Sequence, residues 1–558
     1  MNRLFGYQNI ARDGGSSEIA FDGMQCVAAE DGLSRDKPQF RIFASPDTHL
    51  LSSYSRQHNA TCYVWGNPVH DVIAASDIPA WCIEVIVGQK QKRFRELIGT
   101  FIVIVDEPER NRITFVNDVL GISPMFVGIY DGRLVFGSDV WPMYEAGLSD
   151  GAIDYDALSA WIAYGYNCTD GSLFSDLRRL APGALTVYED GQYKTIPYAE
   201  FEGGSQTKSV DQAAEELHHI VSSTAKTLLA NQSRVSIALS GGFDSRYLAA
   251  LALSIKGRDS LECMTVSFTK AEGEVAREVG ERLGLKLESL PVNGSLWDLY
   301  DQVYHDTPDG FPISKFVTHC VAQRYPGIPM VNGFLGGSTV GGEEDTINGR
   351  CEDEFADDLA DILQEDYFST WFRAFHRDVA KRIRLRSRVP MEDAVRKGSK
   401  TGRIFARADY YYRQRLYISN NVLQHRDISE ALLPFYSWTL LSYAMAHNRK
   451  VLSREVYCRI FRNHFPQLAV IPLASDLPGN KRNCRTSRHT RRWALQMLPL
   501  MFSRSRLSLV SRTWGIPVDM AGIMGLYRVE GAIFLLERLC LLEKKVRDGG
   551  LQIDWGAI

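Results

Sequence analysis

The chain has 558 residues, 45% of them hydrophobic and 23% charged, so it is long enough for two or three domains, and its formal net charge of −4 gives no support to general binding of nucleic acid. Its ten cysteines are scattered without a CxxC pair, and no uninterrupted apolar run reaches the length of a membrane span. Because the sequence also lacks a basic and apolar leader, we expect a soluble protein of the reducing cytoplasm with no membrane partner.

The chain before residue 200 contains short apolar runs that are separated by polar turns. Residues 101–105 form one run, residues 112–116 form another after the turn at 107–111, and residues 134–136 follow a turn at Asp131 and Gly132. Short runs that are bounded by turn residues predict strands. We therefore predict a β-rich N-terminal domain with little helix.

A domain boundary is predicted close to residue 205. Residues 203–208 are polar and begin with two glycines, and Ser209 with Gln212 can form a capping box at the start of a helix. An apolar stripe at helical spacing follows, formed by Val210, Ala213, Ala214, Leu217, Val221 and Leu228. These signals predict one domain over residues 1–203 and a second over residues 209–558.

The segment Ser-Gly-Gly-Phe-Asp-Ser at residues 240–245 is the strongest motif of the chain. Residues 235–239 before it are typical of a buried strand, and residues 245–255 are typical of a helix that ends at Gly257. Glycines in such a turn let the backbone approach phosphate oxygens, and the N–H groups at the helix N-terminus supply donors. The segment predicts a phosphate-binding loop, with a plain tight turn as the structural alternative.

The polar side chains of this loop indicate its chemistry. Ser240 and Ser245 can donate hydroxyls, and Asp244 can hold Mg²⁺ against the phosphates. The lysine of a Walker-type loop is missing, which disfavours transfer of a γ-phosphoryl group. We therefore predict a site for ATP and Mg²⁺. Its candidate residues are Leu239, Ser240, Gly241, Gly242, Asp244 and Ser245.

The chain after the loop alternates between strands and helices. Residues 264–268 and 286–292 are typical of strands, and residues 274–283 are typical of a helix that Gly284 ends. This alternation predicts an α/β domain whose mostly parallel sheet binds nucleotide at the carboxyl ends of its strands. A second glycine-rich segment follows at residues 330–337, and the C-terminal third is predicted to be helical.

The order of these motifs resembles that of the asparagine synthetase family. Residues 240–245 are similar to its pyrophosphatase loop, which other ATP-pyrophosphatase enzymes share. Further segments look like the successive motifs of its glutaminase domain, namely residues 65–68, 99–101, 117–124, 136–139 and 180–184. The resemblance implies an Ntn-hydrolase-like αββα sandwich followed by an α/β ATP-pyrophosphatase domain with a helical C-terminal part. It also implies cleavage of ATP between the α and β phosphates, which gives an acyl-adenylate and pyrophosphate.

The resemblance suggests further contacts for the nucleotide and the metal ion. It implies that backbone groups near Val266 meet the adenine, and that Gly333 belongs to the second glycine-rich signature. An Asp-Glu pair follows that signature in the family, whereas Ser338 and Thr339 stand here. The nearest acids are Glu343, Glu344 and Asp345, of which Glu343 is our candidate for a second metal ligand, and an exposed acidic loop is the alternative.

The resemblance also implies a lysine that neutralises charge on the adenylate. Residues 433–435 and 450–466 look like the family's segments on the substrate side, although Tyr436 and Ser437 replace a Leu-Asp pair. Lys481 is our first candidate for this lysine and Lys450 is the second. A surface lysine is the structural alternative for either of them.

One departure concerns the glutaminase domain. Working domains of this kind use a cysteine immediately after the initiator methionine, with its α-amine as the base. Asn2 stands at that position here, and the first cysteine, Cys26, lies within the chain. We therefore expect no glutamine hydrolysis and interpret the N-terminal domain as a degenerate glutaminase domain that is retained as a scaffold.

A two-domain plan without that cysteine is similar to the β-lactam synthetases and the lasso-peptide macrolactam synthetases. The resemblance implies an AMP- and pyrophosphate-forming amide synthetase of specialised or antibiotic biosynthesis. Its substrate would be a carboxylate-bearing small molecule or peptide, with a precursor peptide or a leader peptidase as candidate partner. Three alternatives stay open: an asparagine synthetase-like enzyme that uses free ammonia, an inactive nucleotide-binding scaffold, and transfer of sulfur to an adenylated base, which the absence of a reactive cysteine pair disfavours.

Overall fold

The computed structural model describes residues 3–9, 21, 24–29, 40–46, 48–204, 208–266, 270–290, 304–314, 317–341, 346–347, 350–351, 359–364, 375–398, 404–423, 428–447, 452–477 and 529–558. These residues form both helices and strands, so the predicted mixed α/β class is confirmed. Among them, none of the helices combines the length and the apolar character that crossing a membrane requires.

Two antiparallel sheets build the N-terminal region, by which we mean residues 3–204. Its strands are β1 (Leu4–Asn9), β2 (Gln25–Ala29), β3 (Phe40–Ala44), β4 (Leu50–Ser55), β5 (Ala60–Gly66), β6 (Phe101–Glu107), β7 (Arg112–Asn117), β8 (Phe126–Tyr130), β9 (Arg133–Gly137), β10 (Arg178–Arg179), β11 (Ala184–Glu189) and β12 (Gln192–Pro197). Its α-helices are α1 (Ile78–Val87), α2 (Val140–Glu145) and α3 (Tyr155–Tyr164). One sheet has the order β10-β8-β9-β1-β3-β2 and the other the order β12-β11-β7-β6-β5-β4.

Strand β6 shows why the two sheets pack face to face. All seven of its residues are buried, and successive side chains of a strand point to opposite faces of the sheet. Ile102 and Ile104 pack into the cluster between the two sheets, whereas Val103 and Val105 pack into a second cluster that includes residues of α1. The predicted strands at 101–105, 112–116 and 134–136 are therefore present as β6, β7 and β9.

A parallel sheet organises the C-terminal region, residues 208–558. The strands of the C-terminal region are β13 (Val235–Ala238), β14 (Leu261–Val266), β15 (Leu287–Leu290), β16 (Tyr304–Asp306), β17 (Pro312–Ser314), β18 (Met330–Val331), β19 (Thr346–Ile347), β20 (Arg350–Cys351) and β21 (Ala431–Leu432). The order β15-β14-β13-β18-β21 forms the sheet, and every pairing within it is parallel. Strand β16 pairs with β17 and strand β19 pairs with β20, and each pair is a small antiparallel sheet.

The described residues of the C-terminal region also form helices. They are α4 (Val210–Leu229), α5 (Phe243–Lys256), α6 (Lys270–Leu283), α7 (Val317–Arg324), α8 (Leu359–Ile362), α9 (Arg377–Ser387), α10 (Val389–Gly398), α11 (Ile404–Ala408), α12 (Asn420–Leu423), α13 (Trp438–Ala446), α14 (Arg454–His464), α15 (Pro466–Ala469) and α16 (Val529–Asp548), with π-helical turns at Gly337–Gly341 and Asp409–Ile418. The predicted capping box is confirmed, because Ser209 Oγ accepts from the Gln212 N–H at 3.2 Å and Gln212 Oε1 accepts from the Ser209 N–H at 3.3 Å. Helix α5 begins two residues earlier than predicted, since Gly242 takes the N-cap position.

One hydrophobic cluster extends across both regions of the chain. Phe201 of the N-terminal region stacks on Trp438 of α13, with ring centroids 5.2 Å apart. Arg95 lies over the same indole ring at 4.2 Å. The two regions therefore share a buried core at their junction.

A buried hydrogen bond joins the regions at the centre of this junction. Asp118 is fully buried, and its carboxylate accepts from the Tyr436 hydroxyl and from the backbone N–H groups of Ile122 and Ser123 at 2.8 and 2.9 Å. The Tyr436 oxygen in turn accepts from the Leu120 N–H at 2.8 Å. Burial and the charge of Asp118 raise the pKa of Tyr436 well above its usual value, so this hydroxyl remains a donor.

We expect Tyr436→Phe to destabilise the protein by about 2–3 kcal/mol, because it leaves a buried carboxylate and a buried N–H group without a partner. Urea unfolding followed by circular dichroism measures the change. Tyr188→Phe is the matched control, since the hydroxyl of Tyr188 is buried and has no hydrogen-bond partner within the described part of the chain. Equal destabilisation by the two variants would show that the Tyr436 hydrogen bond makes no specific contribution to the free energy of unfolding.

Candidate functional site

The glycine-rich turn between β13 and α5 is held by its own polar groups. Gly241 has φ +76°, and a Cβ atom there would lie 2.9 Å from Val275 Cγ1, so both backbone conformation and packing favour glycine. The hydroxyls of Ser240 and Ser245 lie 3.0 Å apart, and Ser245 Oγ also accepts from the Ser240 N–H at 3.1 Å. The turn is therefore held in place by hydrogen bonds between its own residues.

A cavity of about 400 Å³, which we call the loop cavity, opens beside this turn. Strand β18 pairs with β13, so the second glycine-rich segment leaves the same edge of the sheet as the phosphate-binding loop. The cavity is lined by both segments and by part of the π-helical turn Asp409–Ile418. The structure thus brings together two segments whose glycines the sequence had singled out separately.

Asp244 is the sole carboxylate among the described residues that line the loop cavity. It lies in the first turn of α5, and its Oδ1 accepts a hydrogen bond from the Tyr457 hydroxyl of α14. Gly336 lies against it, since a Cβ atom there would come within 2.5 Å of Asp244 Cγ. These contacts orient the carboxylate at the mouth of the phosphate-binding loop.

Part of the predicted nucleotide set converges on the loop cavity. Ser240, Asp244, Ser245 and Gly333 line it, and Gly241 and Gly242 form the adjacent turn. Leu239 is buried, and its N–H donates to Met264 O at 2.7 Å, so its side chain supports the loop from the core. Val266 ends β14 and is half-buried outside the cavity wall. Glu343, Lys450 and Lys481 lie outside the described residues, and their roles stay predictions.

No group of three or more His, Cys, Asp or Glu side chains that could hold a metal ion occurs among the described residues. A Mg²⁺ ion in a nucleotide site needs only one or two carboxylates, because phosphate oxygens and water complete its coordination. The single carboxylate of Asp244 therefore fits a metal ion that arrives with the nucleotide.

Sequence reasoning missed Arg246, which fixes the backbone of the loop. This residue is fully buried at the start of α5, and its guanidinium donates to Gly241 O at 2.8 Å, Ile471 O at 2.7 Å and Pro472 O at 3.1 Å. Burial lowers its pKa to about 10, so it remains charged at neutral pH. The sequence signal for this role was the position of the arginine directly before the apolar run Tyr247–Ala252.

A buried polar cluster also escaped the sequence analysis. Ser338 Oγ donates to Asp409 Oδ2 at 2.9 Å, and Gln414 Nε2 donates to Ser338 Oγ at 2.8 Å and to Asp409 Oδ2 at 3.1 Å. Asp409 is fully buried, and Arg413 Nη1 lies 3.2 Å from its Oδ1. Where the family resemblance leads one to expect acids, this chain has a serine that binds a more distant acid.

A second and much smaller cavity lies in the N-terminal region, with a volume of about 50 Å³. It is lined by the two motifs at 65–68 and 99–101 and is bordered by Leu228, Glu430 and Ala431 of the C-terminal region.

We expect Gly336→Ala to weaken binding of Mg·ATP about tenfold or more, because its methyl group would displace the Asp244 carboxylate. Isothermal titration calorimetry measures the affinity. Gly341→Ala is the matched control, since its methyl group would make an ordinary contact of 3.7 Å with Tyr457 Cε2. The assignment of Asp244 to the nucleotide site would be wrong if Gly336→Ala bound Mg·ATP as tightly as this control.

Two segments of the chain match known protein families. Residues 82–199 match a model described as a glutamine amidotransferase domain, and residues 216–321 match a model described as asparagine synthase. Each segment is less than half of the chain. The first lies in the N-terminal region, and the second contains the phosphate-binding loop and α5.

Two curated proteins are similar to part of this chain. The match to asparagine synthetase (glutamine-hydrolyzing) 3 of Bacillus subtilis (strain 168) is 27% identical over 158 residues and covers 28% of this chain and 26% of that protein. The match to pyridinium-3,5-bisthiocarboxylic acid mononucleotide synthase of Lactiplantibacillus plantarum is 27% identical over 162 residues and covers 28% of this chain and 56% of that protein. The chain therefore spans about a quarter of the first relative and just over half of the second.

Similarity to solved structures is weak. Glutamine phosphoribosylpyrophosphate amidotransferase from B. subtilis, complexed with ADP and GMP, matches with a TM-score of 0.23 and 12% identity, over 59% of this chain and 75% of that chain. A structure of the allosteric regulatory enzyme of purine biosynthesis matches with a TM-score of 0.22 and 11% identity, over 60% and 85%. These low scores carry no argument, so the comparisons connect the chain to asparagine synthetases through sequence alone.

Proposed function

We propose that the protein is an ATP-dependent carbon–nitrogen ligase that adenylates a carboxylate and joins it to an amine. The loop cavity supports this proposal, because two glycine-rich segments converge on it, and the first of them, which contains Asp244, lies in the segment that matches the asparagine synthase model. In the proposed architecture, an ATP-pyrophosphatase-type domain follows an Ntn-like sandwich domain.

The proposed reaction has two steps. A carboxylate oxygen of the substrate attacks the α-phosphorus of ATP, and the bond to the bridging oxygen breaks, so that pyrophosphate leaves with the electron pair. An amine nitrogen then attacks the acyl carbon, and AMP leaves as the amine loses its proton. Such chemistry depends mainly on positioning and on neutralising charge.

The residues of the loop cavity have separate tasks in this scheme. The N–H groups of the loop and the hydroxyls of Ser240 and Ser245 bind phosphate oxygens, and Asp244 would hold Mg²⁺, which offsets the charge of the triphosphate when bound. Arg246 keeps the loop in place during the reaction through its bond to Gly241 O. We propose Lys481, or alternatively Lys450, as the cation that stabilises the acyl-adenylate.

We further propose that the ligase works without glutamine hydrolysis. Residues of the motifs at 65–68 and 99–101 line a cavity of about 50 Å³, and no cysteine is among its described lining residues. Cys26 lies within strand β2, where its nitrogen belongs to a peptide bond and cannot serve as the base. The amine then comes from ammonia, from a second substrate or from the substrate itself.

A specialised biosynthetic amide ligase is the form of this function that we favour. Its acid substrate is a small molecule or a peptide, as in lasso-peptide macrolactam formation, where a precursor peptide and a leader peptidase would be partners. Because part of the chain is similar to an asparagine synthetase, amide formation from free ammonia is the second candidate function.

Sulfur transfer is less well supported, although one relative is named as the synthase of a thiocarboxylic acid mononucleotide. Among the described residues, no cysteine lines the loop cavity. Cys263 on β14 is buried, and burial raises its pKa to about 12, so this thiol does not supply a thiolate at neutral pH. An amine is therefore the better nucleophile for this site.

We expect the protein to release pyrophosphate and AMP from Mg·ATP when it meets its acid substrate in a pool of candidate acids and peptides. Asp244→Asn should lower this release about 100-fold, because the metal ion loses its carboxylate. Asp259→Asn, an exposed carboxylate after α5, should leave the release unchanged. Formation of ADP and phosphate instead would contradict adenylation, and absence of Mg·ATP binding would favour an inactive scaffold.

A further inference from the structure

One basic side chain lines the loop cavity together with Asp244. Arg413 belongs to the π-helical turn Asp409–Ile418, and its side chain keeps 35% of its exposure. Among the described residues of the cavity wall, Arg413 is the sole cationic side chain and Asp244 the sole anionic one. The cavity thus presents one group for a metal ion and one group for an anion.

The orientation of Arg413 is set by a buried carboxylate. Asp409 Oδ1 lies 3.2 Å from Arg413 Nη1, and Gln414 and Ser338 donate to the carboxylate as well. Because hydrogen bonds in a π-helix join residues five apart, this winding places Gln414 beside Asp409. The cluster therefore ties Arg413 to the second glycine-rich segment, which faces the phosphate-binding loop.

We infer that Arg413 binds the β and γ phosphates of ATP, the part of the nucleotide that leaves as pyrophosphate. This inference rests on the proposed function. It adds that the guanidinium of Arg413 binds the phosphate anion at the wall formed by the π-helical turn. A guanidinium has five N–H donors, so it can bind a carboxylate and a phosphate together, and it binds phosphate in a bidentate manner.

Charge balance favours this assignment. Asp244 is the sole carboxylate among the described residues of the cavity wall and suits one metal ion, and pyrophosphate carries more negative charge than one Mg²⁺ offsets. Ser338 adds no charge, since it is a buried hydroxyl that donates to Asp409. A fixed cation in a half-buried cavity attracts the leaving group more strongly than it would in bulk water. Arg413 supplies that cation at the cavity wall.

Calorimetry with Mg·ATP and with AMP tests the inference. We expect Arg413→Gln to weaken ATP binding about tenfold or more and to leave AMP binding within about twofold, because AMP lacks the β and γ phosphates. Inhibition by inorganic pyrophosphate should weaken to a similar degree. Arg413→Lys should restore part of the ATP affinity. Arg396→Gln, which removes an exposed guanidinium that pairs with Asp393, is the matched control and should bind as the wild type does.

Two outcomes would overturn the inference. Unchanged ATP affinity in Arg413→Gln would show that the residue does not touch the polyphosphate, and equal loss for ATP and AMP would show a structural role. If Arg413→Gln fails to fold because Asp409 is left without its cation, the double variant Asp409→Asn, Arg413→Gln removes both charges and answers the same question. If the wild type binds neither nucleotide, the proposed function fails together with the inference.

Discussion

The burial of Asp118 is the constraint on which the arrangement of the molecule depends. A carboxylate without water is costly unless its oxygens accept hydrogen bonds, and here the backbone of the N-terminal region supplies only part of them. The Tyr436 hydroxyl of the C-terminal region completes the set. Tyr436 follows β21, which pairs with β18, and β18 leads into the second glycine-rich segment. The contact that joins the two regions therefore lies next to the strands that lead into the loop cavity.

A second contact links the same regions close to Asp118, because a Cβ atom at Gly121 would lie 3.2 Å from Arg415 Nε. Arg415 is buried in the π-helical turn, and it donates to Asp170 at 2.6 Å and to Leu180 O at 2.9 Å, both in the N-terminal region. Arg413, two residues earlier, lines the loop cavity. The N-terminal region therefore contacts the π-helical turn that also contains Arg413.

Local patterns in the sequence predicted much of the secondary structure. The capping box at Ser209, the strand and helix on either side of residues 240–245, and the buried strand β6 all depend on residues close together in the chain. Helix starts shifted by two to four residues, as with α5 and α6, because capping is decided by backbone conformation. Val266, near which the resemblance implied an adenine contact, lies outside the described wall of the loop cavity, and that contact stays a prediction.

The sequence alone determined that a glycine-rich loop with an acid at position 244 follows a buried strand and precedes a helix, because strand, turn and helix are coded by neighbouring residues. Only the tertiary structure decided what surrounds that acid. Tyr457 lies 213 residues from Asp244 in the chain, and Asp409 lies 71 residues from Ser338. No periodicity signals a contact between residues so far apart. Sheet order and the π-helical winding bring them together, and both depend on packing of the whole chain.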